Sequence, residues 1–538
     1  MKIIYTIHDY WPEHMAGAEN YTHYIAHAMA RLGHDVYIFT VEKNYKDDYS
    51  VGRYVEVDDR IGVLDSCLRR NDSVVKDDGQ MKDMDFHVES FGNDKCGVNV
   101  VKVHKQNSHK KTLGSTYEDE NIYAIFKGVF DEIKPDVVHV QHLLNLSVNM
   151  IDYIKSQNVP VLYTLHDLWL ECFNVNRLTT DKQKLCSGAS IEKCMKCYKP
   201  ARFNRNPSLL DKFYLKSSRI TGLDGKKKHK EIQKRNNVMK KLVNDVDLFI
   251  SPSNYLRDEF VEWGIPGEKI VYSRNGMNID DCGRLDSRLR GNDNGGNGMN
   301  LVNKNEENEQ LKIDNNVECD CGRLDSCLRR NDKRDDDKYD GSGKLDSCLC
   351  RNDKCIKKDI VFVFTSHLRK LKGIEVLLEA CEILQNRGIE NVSIELYGRI
   401  DGDDSQKEKF IKEKIEPLKL VKYCGEFENK EINNILCSVD YLILPSIWPE
   451  NAPLVIDEAY LNNVPCIVSN IGGMAERVDD GVNGLHFEVG SAKDLADKME
   501  YVAKNINIRE KFVKNIPKVK TIEENAIELE KIYKSMSF

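Results

Sequence analysis

The sequence predicts an α/β fold with two doubly wound domains, each built on a parallel sheet. The chain has 538 residues, whereas a typical domain has about 100–200 residues. Short apolar runs rich in Val, Ile, Tyr and Phe alternate with helix-like segments, which is typical of buried parallel strands joined by crossover helices. This alternation begins again in the second half of the chain, after a long polar stretch. Together these observations predict two Rossmann-like domains.

The first half contains a series of strand-like runs, at residues 2–7, 35–40, 136–140, 161–166 and 248–253. A helical pattern at residues 18–32 follows the first run, and Gly33 is a plausible helix stop. We therefore predict an N-terminal Rossmann-like domain at residues 1–281.

The second half repeats the pattern. Strand-like runs occupy residues 360–365, 393–398, 441–445 and 466–469, and helical patterns occupy residues 373–387, 429–438, 453–461 and 491–503. We predict a second Rossmann-like domain at residues 359–505 and a C-terminal helical segment at residues 506–538. Ligands in such sheets bind at the carboxyl ends of the strands, so two facing domains predict a cleft.

Four similar nine-residue segments interrupt these domains, at residues 64–72, 285–293, 324–332 and 345–353. Their spacing is irregular, which argues against a solenoid. Their surroundings are rich in Gly, Asn, Asp and Lys, as in disordered segments. The unit resembles peptides translated from mobile palindromic repeats in bacterial genes. We predict disordered insertions at about residues 59–97 and at residues 282–358, the second lying in the interdomain linker.

Composition limits the classes of function. The net charge of -8 provides no basic field for nucleic acid. The chain has no apolar run of about 18 residues, so a transmembrane helix is not expected. Residues 1–10 lack the basic head and the cleavage site of a signal peptide. The sequence therefore predicts a cytoplasmic protein with reduced cysteines.

Cysteines form a group outside the repeats as well as within them. Cys172, Cys186, Cys194 and Cys197 follow one another closely, and the last two form a CxxC pair. Four thiols in a reducing compartment suit a structural zinc ion, and ordinary buried thiols are the alternative. The basic segment at residues 226–241 suits either contact with anionic lipid headgroups at the inner face of a membrane or a solvated helix face.

Two features at strand ends of the first half indicate a binding site. Gly17 lies in a small-residue turn before a helix, where open backbone N–H groups favour a phosphate; a turn required for packing is the alternative. His166 ends a strand-like run, where its ring could donate a hydrogen bond to a sugar hydroxyl or a phosphate. A buried histidine of the core is the alternative there.

Basic residues join a strand to a helix in the second half. His367, Arg369, Lys370 and Lys372 precede Gly373. Positive charge at a helix start can neutralise a diphosphate leaving group without a metal ion. These residues therefore predict a diphosphate site that needs no cofactor.

Two carboxylates provide the most specific pattern. Glu450 lies in a loop before a predicted helix and Glu458 lies about two turns into it. Eight helical residues rise about 12 Å, which matches the reach from a ribose to the sugar beyond a diphosphate. Carboxylates accept hydrogen bonds from neighbouring hydroxyls. Gly472 and Gly473 then supply a turn in which backbone can approach a ligand.

The chain resembles the family-four retaining glycosyltransferases, which have the GT-B fold. Their pattern is a Glu, seven residues, a second Glu and then a Gly-Gly turn, and Glu450, Glu458, Gly472 and Gly473 match it. The family's Asn-Gly near the linker is matched by Asn275-Gly276, and its serine-rich strand end by Ser251-Pro252-Ser253. The resemblance covers both halves outside the insertions.

The resemblance implies a role for each matching residue. Lys372, with His367 and Arg369 beside it, would hold the donor diphosphate, and Glu458 would bind the ribose. Glu450 would contact the transferred sugar and His166 would line the reaction centre, so that His166, Glu450 and Lys372 form the catalytic set. The remaining residues implied for donor binding are Gly17, Asn451, Leu454, Gly472 and Gly473. Where the family has Gly-Arg, this chain has Ser366-His367, which removes a permanent positive charge.

The implied activity is a metal-independent, hexosyltransferase-type transfer from a nucleotide sugar, with retention of configuration. The acceptor would be a saccharide or a lipid-linked molecule, in the biosynthesis of surface polysaccharide or glycolipid. The alternative is a nucleotide-sugar-binding protein whose catalysis is impaired by the change at His367 or by the insertions. A nicotinamide oxidoreductase is a third class, which the missing GxGxxG motif disfavours.

Overall fold

The computed structural model describes residues 1–11, 16–43, 86–91, 97–105, 112–179, 185–198, 223–279 and 359–536. The described residues up to 279 and from 360 onward belong to one unit that contains two sheets. The insertion predicted at residues 282–358 lies outside the described residues. So does most of the one predicted at residues 59–97. No helix among the described residues is long and apolar enough to span a membrane.

Within the part of the chain that the structure describes, the first sheet has eight strands in the order β3-β4-β2-β1-β5-β6-β7-β8. Its strands are β1 Lys2–His8, β2 Asp35–Lys43, β3 Phe86–Phe91, β4 Val98–Lys105, β5 Val137–Val140, β6 Val161–Thr164, β7 Leu248–Ser251 and β8 Ile270–Tyr272. Neighbouring strands run parallel, except that β3 runs antiparallel to β4. The central strands β1, β5 and β6 are almost wholly buried, because helices cover both faces of such a sheet.

The helices of the first half are α1 Gly17–Arg31, α2 Glu120–Ile133, α3 Asn149–Ser156, α4 Ile191–Cys197, α5 Leu223–Asp245 and α6 Asn254–Trp263. The starts of α2, α4 and α6 follow the capping preferences of short polar residues. The Asp119 side chain accepts the amides of Asn121 and Ile122, and the Ser253 hydroxyl accepts the amide of Leu256. The α6 helix ends at Gly264 in a left-handed conformation, as glycine allows.

The second sheet has six parallel strands in the order β11-β10-β9-β12-β13-β14. These are β9 Ile360–Thr365, β10 Val392–Tyr397, β11 Val421–Gly425, β12 Tyr441–Leu444, β13 Cys466–Ser469 and β14 Gly484–Phe487. The helices that follow are α7 Ile374–Asn386, α8 Asp404–Phe410, α9 Ile432–Leu436, α10 Leu454–Leu461, α11 Gly472–Arg477, α12 Ala492–Lys504, α13 Ile508–Lys514 and α14 Ile522–Met536. Two Rossmann-like α/β sheets, as the sequence predicted, therefore carry the fold.

One prediction about the first insertion was wrong in part. Residues 86–91, which were assigned to the disordered segment at 59–97, form the edge strand β3 and pair with β4 from Phe86 opposite Lys105 to Phe91 opposite Val100. The sequence FHVESF alternates apolar and polar residues, as a strand with one buried face does. The neighbouring repeat obscured this short alternation.

The C-terminal helix α14 packs against the first sheet rather than the second. Its residues Ile522, Ala526, Leu529 and Tyr533 belong to the apolar cluster beneath β1. The hydroxyl of Tyr533 lies 3.0 Å from that of Tyr5 and 2.6 Å from Nδ1 of His139. The return of the chain therefore ties its C-terminus to the strands that carry the first half of the site.

The segment that leads back from the second half to α14 packs against the chain at Asn275-Gly276. A Cβ atom on Gly276 would lie 2.3 Å from the carbonyl oxygen of Thr521. The amide of Gly276 donates to the side chain of Asn525 at 3.1 Å, and Met277 pairs with Thr521. The glycine at this position is required by the close approach of two backbones.

Candidate active site

The carboxyl ends of β5 and β6 bring polar residues together. His166, two residues beyond β6, donates from Nε2 to the side-chain oxygen of Gln141 at 2.8 Å. Burial, together with a smaller effect of the neighbouring His142, lowers the pKa of His166 to about 3. The imidazole is therefore neutral near pH 7 and acts through hydrogen bonds rather than as a cation.

Gln141 and His142 are functional candidates that the sequence reasoning missed. Both follow β5 directly, as His166 follows β6, so their position at a strand end was the available pattern. The buried Nε2 of Gln141 has no hydrogen-bond partner among the described residues. The strand ends therefore present an unsatisfied donor beside His166, which a ligand oxygen can accept.

A second histidine at this edge has a defined tautomer. The amide of Leu144 donates to Nδ1 of His142 at 2.9 Å, so the ring proton lies on Nε2, which is 3.2 Å from a carboxylate oxygen of Asp167. The His142 ring lies 4.4 Å from that of His8 at the end of β1. These rings line the carboxyl edge of the first sheet near the start of α1.

Gly17 begins α1 at this same edge. Its surroundings would leave room for a Cβ atom, and the residue is exposed. The preceding Ala16 has no side chain that could cap the helix. This arrangement permits the ligand contact predicted for Gly17, which stays a prediction.

In the second half, Lys372 and Glu450 form an ion pair with 2.9 Å between Nζ and Oε2. Glu450 is buried, and its other oxygen accepts the hydroxyl of Ser446. Lys372 is less covered and lies 5.8 Å from the centre of the Trp448 ring. Both charged groups line one small cavity at the carboxyl end of β9 and β12. The structure thus brings together two residues that are 78 positions apart in the sequence.

A glycine permits this approach. Gly373 has a φ of +75° and ends the short turn Lys370–Lys372. A Cβ atom at this position would lie 1.7 Å from the carbonyl oxygen of Pro445. Only glycine fits both the conformation and the contact, and so it holds the lysine turn against the loop that leads to Glu450.

Arg369 and His367, which precede Lys372 in the same loop, lie in different surroundings. Arg369 pairs with Asp401 through Nε at 2.6 Å, and both side chains are about half exposed. Burial lowers the pKa of His367, and the positive charge of Arg369 lowers it further. At neutral pH His367 is therefore uncharged, so it does not replace the arginine of the family pattern. The charge of Arg369 is shared with Asp401.

Glu458 lies on α10 and is partly exposed, without a hydrogen-bond or ion-pair partner for its carboxyl group among the described residues. Burial, together with a smaller effect of the negative charge of Asp457, raises the pKa of Glu458 to about 7. Asp457 itself points to Arg477, whose Nε donates to it at 2.7 Å. Glu458 is thus the acidic group of this helix that is available to a ligand.

Gly472 and Gly473 begin α11 and bring it against the Glu450 loop. The amide of Gly473 donates to the carbonyl oxygen of Glu450 at 2.7 Å. A Cβ atom on Gly473 would lie 1.4 Å from the carbonyl oxygen of Asn451. The glycine turn therefore serves contact between two protein segments. Direct contact of these glycines with a donor, and that of Leu454 at the start of α10, stay predictions.

Asn451 connects the two halves of the site. Its Nδ2 donates to the carbonyl oxygens of Leu165 and His166, both at 3.0 Å, and its Oδ1 accepts the hydroxyl of Ser253 at 2.5 Å. The side chain predicted to bind the donor is thus engaged with the first half of the chain. Its backbone is the part left for a donor contact.

Burial raises the pKa of Cys194, and the total shift to about 12 includes smaller contributions from the thiols of Cys172, Cys197 and Cys186. The thiols form no disulfides. Among the described residues, however, no group of three or more His, Cys, Asp or Glu side chains is arranged to hold a metal ion. The structural zinc ion stays a prediction.

Two family models match the chain on either side of residues 282–350. The model described as Glycosyltransferase Family 4 matches residues 98–281, and the one described as Glycosyl transferases group 1 matches residues 351–519. The matched ranges contain every catalytic residue that the sequence predicted: His166, Lys372 and Glu450.

Curated relatives match shorter stretches. An uncharacterized 41.2 kDa protein in the cps region of Klebsiella pneumoniae is 31% identical over 144 residues, which is 27% of this chain and 37% of the relative. The UDP-Gal:alpha-D-GlcNAc-diphosphoundecaprenol alpha-1,3-galactosyltransferase of Escherichia coli is 37% identical over 87 residues, 16% of this chain and 22% of the relative. The chain spans about a third of the length of the first curated relatives it matches.

Solved structures match the whole chain at low identity. HepE of Anabaena, solved with UDP, has a TM-score of 0.53 and 14% identity, covering 99% of this chain and 100% of that one. The catalytic domain of starch synthase IV from Arabidopsis thaliana, bound to ADP and acarbose, has a TM-score of 0.53 and 14% identity, with 99% of each chain covered. At these identities the similarity shows the two-domain fold.

Proposed function

Because the chain belongs to the family-four type of GT-B glycosyltransferases, we propose that it transfers a sugar from a nucleotide-sugar donor to a saccharide or lipid-linked acceptor. The transfer retains the configuration of the sugar and requires no metal ion. Surface polysaccharide or glycolipid assembly is the setting that we propose, since one relative lies in a cps region and another is named for a diphosphoundecaprenol-linked acceptor.

The Lys372–Glu450 pair is the observation that carries this proposal. An ammonium group at the carboxyl end of a parallel strand, next to a helix start, is well placed for a diphosphate. The donor's phosphates compete with Glu450 for Lys372, and the Glu450 carboxylate is then available to the hydroxyls of the transferred sugar. A permanent cation that stabilises the departing diphosphate removes the need for a metal ion.

The other carboxylate and the histidine have complementary roles. Glu458, whose carboxyl group has no hydrogen-bond or ion-pair partner among the described residues, accepts the ribose hydroxyls once it is ionised. His166 is neutral and contacts the reaction centre through a hydrogen bond that Gln141 orients. In the retaining step the acceptor oxygen bonds to the anomeric carbon on the face from which the diphosphate leaves. The acceptor proton passes to the departing phosphate oxygen, so no separate base is needed.

The basic helix α5 supports a membrane contact for this function. Lys226, Lys227, Lys230 and Lys240 are exposed, and the exposed Lys234 and Lys241 pair with Glu118 and Asp152. Each lysine near an anionic membrane surface contributes about 1 kcal/mol. We expect the protein to float with vesicles that contain anionic lipid. Replacement of Lys226, Lys227, Lys230 and Lys240 by Gln should release it, and unchanged flotation would contradict the contact.

A structural zinc ion bound by Cys172, Cys186, Cys194 and Cys197 is part of the proposal. Its support is the interaction of the Cys194 thiol with the other three thiols, and the fully buried Arg235, whose pKa burial lowers and the thiols of Cys172 and Cys194 raise. A zinc ion with four thiolates carries a net negative charge, which a buried guanidinium offsets.

Metal analysis of the purified protein tests this zinc site. We expect about one zinc ion per chain. The double variant Cys194→Ser/Cys197→Ser should lose the zinc, and the control Cys437→Ser, at an exposed position, should keep it. Protein that binds no zinc, or a double variant that retains it, would contradict the site.

A screen of donors tests the function. Uridine, guanosine and adenosine diphosphate sugars should be compared by thermal shift, and the stabilising donor should then be tested for transfer. Lys372→Met should weaken donor binding at least tenfold, since one charge-assisted contact contributes about 1.5–3 kcal/mol. The control is Lys370→Met in the same turn, because Lys370 pairs with Glu375. Donor binding without turnover would favour the impaired-binding alternative, and absence of binding by every donor would refute both.

A further inference from the structure

A second set of contacts joins the two halves of the chain beside the site. The carboxylate of Glu476 accepts the amide of Asn254 at 2.9 Å, the side-chain amide of Asn254 at 3.0 Å and the amide of Tyr255 at 2.8 Å. These are first-turn donors of α6, which its own residues leave without an intrahelical acceptor. A helix start also attracts a carboxylate through its partial positive charge. Glu476 thus caps a helix of the other half of the chain.

The helix that carries Glu476 is fixed to both acidic residues of the proposed donor site. Its start contacts the Glu450 loop through Gly473, which allows an approach that no other residue permits. Its end contacts α10, the helix of Glu458, through the bond from Arg477 to Asp457. A displacement of Glu476 therefore displaces the donor-binding segments with it.

The side chain of Asn451 contacts the same region of the first half. Its amide holds the carbonyl oxygens of Leu165 and His166, and its oxygen accepts the hydroxyl of Ser253, the residue before Asn254. Glu476 and Asn451 therefore hold adjacent residues at the start of α6. Asn451 also holds the end of β6, next to His166. We call these contacts, made by Glu476 and Asn451 to residues 165–166 and 253–255, the clasp.

We propose that Glu476 is a positioning residue that, through the clasp, sets the distance between the donor-binding loop and His166. This inference rests on the proposed function, because it assigns a role in the same transfer. Glu476 touches neither substrate. It acts by holding α11, and with it Glu450, in register with the strand end of His166, so that sugar and acceptor meet in one geometry.

The proposal separates binding from transfer. The charged groups proposed to hold the nucleoside diphosphate, Lys372 and Glu458, both lie in the second half, so the affinity for it should not depend on the clasp. Transfer needs both halves, and an error of about 1 Å in the position of reacting groups can lower a rate about a hundredfold. We therefore expect Glu476→Gln to reduce kcat by at least tenfold and to leave the affinity for the nucleoside diphosphate within about threefold.

The experiment compares Glu476→Gln with Glu488→Gln, an exposed glutamate of the same half. The substitution places an NH₂ group against backbone donors, so it breaks the cap with little change in size. Two readouts are needed: steady-state kinetics with calorimetric binding of the nucleoside diphosphate, and hydrogen exchange of the amides at residues 254–256. Exchange should accelerate in Glu476→Gln and not in Glu488→Gln.

The outcomes distinguish this inference from the proposed function. If the wild-type protein transfers no sugar but exchange still accelerates in Glu476→Gln, the function is wrong and the contact stands without a catalytic role. If transfer is normal in Glu476→Gln, or exchange is unchanged, the clasp is refuted. Should Glu476→Gln not fold, Ser253→Ala, which removes the hydroxyl that contacts Asn451, provides the second variant. It must lower kcat and retain nucleotide affinity, and a loss of both in parallel would also refute the clasp.

Discussion

Replacement of Gly473 by Ala is the most direct perturbation of the proposed site. The added Cβ atom would lie 1.4 Å from the carbonyl oxygen of Asn451, and ordinary contact begins at 3.4 Å. The two segments must therefore separate by about 2 Å. Neither is a flexible side chain, since both partners in the contact are backbone. The shift must move Glu450, whose carbonyl oxygen also lies 3.0 Å from the added atom.

This displacement has a calculable effect on activity. A shift of about 1 Å can lower a rate about a hundredfold, so a shift of about 2 Å should lower kcat/KM by at least that factor. A hundredfold loss corresponds to about 2.7 kcal/mol of transition-state stabilisation. Overpacking of this kind costs about 1–3 kcal/mol of folding stability, which leaves a folded protein whose activity can be measured.

The control is Gly225→Ala in helix α5. Its Cβ atom would meet nothing within 4 Å, and the residue has an ordinary helical conformation. Alanine there favours the helix by about 1 kcal/mol, so activity should be unchanged and Tm unchanged or higher. Steady-state transfer assays and thermal unfolding check both variants. If Gly473→Ala retained kcat/KM within about threefold of the wild-type value, the geometry of the Glu450 loop would not control the reaction.

Two further predictions concern pH. Because the pKa of Glu458 is raised to about 7, donor affinity should increase as pH rises through 7. Calorimetry should show a flat profile for Glu458→Gln, and an equal slope in both proteins would exclude Glu458 as the ribose ligand. Burial lowers the pKa of His139 to about 3, so the unfolded chain binds a proton that the folded chain excludes between pH 6.5 and about 3. Stability should fall as pH falls through this window, by up to about 1.4 kcal/mol per pH unit from this group. Urea unfolding should show a shallower dependence for His139→Gln, and a dependence as steep as that of the wild type would contradict the assignment.

Local sequence patterns were sufficient for the central strands. The runs at residues 360–365 and 466–469 match β9 and β13 at both ends, because each is a continuous apolar run bounded by polar residues. The strands at the sheet edges, β3, β8, β11 and β14, were missed, and so was β4 beside an edge. Pairing with a neighbour, more than their own composition, makes these segments strands.

The features of the candidate site likewise divide into those that the sequence predicted and those that only the fold brings together. The spacing from Glu450 to Glu458, the Gly472-Gly473 turn and the basic turn before Gly373 were visible in the sequence, since each depends on residues only a few positions apart. The pairing of Lys372 with Glu450 and the polar group around Gln141 and His142 were not. They depend on which strand ends meet at one edge, and that is a property of strand order.

The sequence alone thus determined the fold class, the carboxylates and the glycine turns, because hydrophobic periodicity and local spacing depend only on residues that are close together in the sequence. Tertiary structure decided how these parts act on one another. Glu476 meets the start of α6 across 222 residues of sequence, and Gly473 is required by a backbone that lies 22 positions away. Such contacts arise because two sheets and a returning C-terminal helix bring distant segments together, and no local pattern encodes the partner.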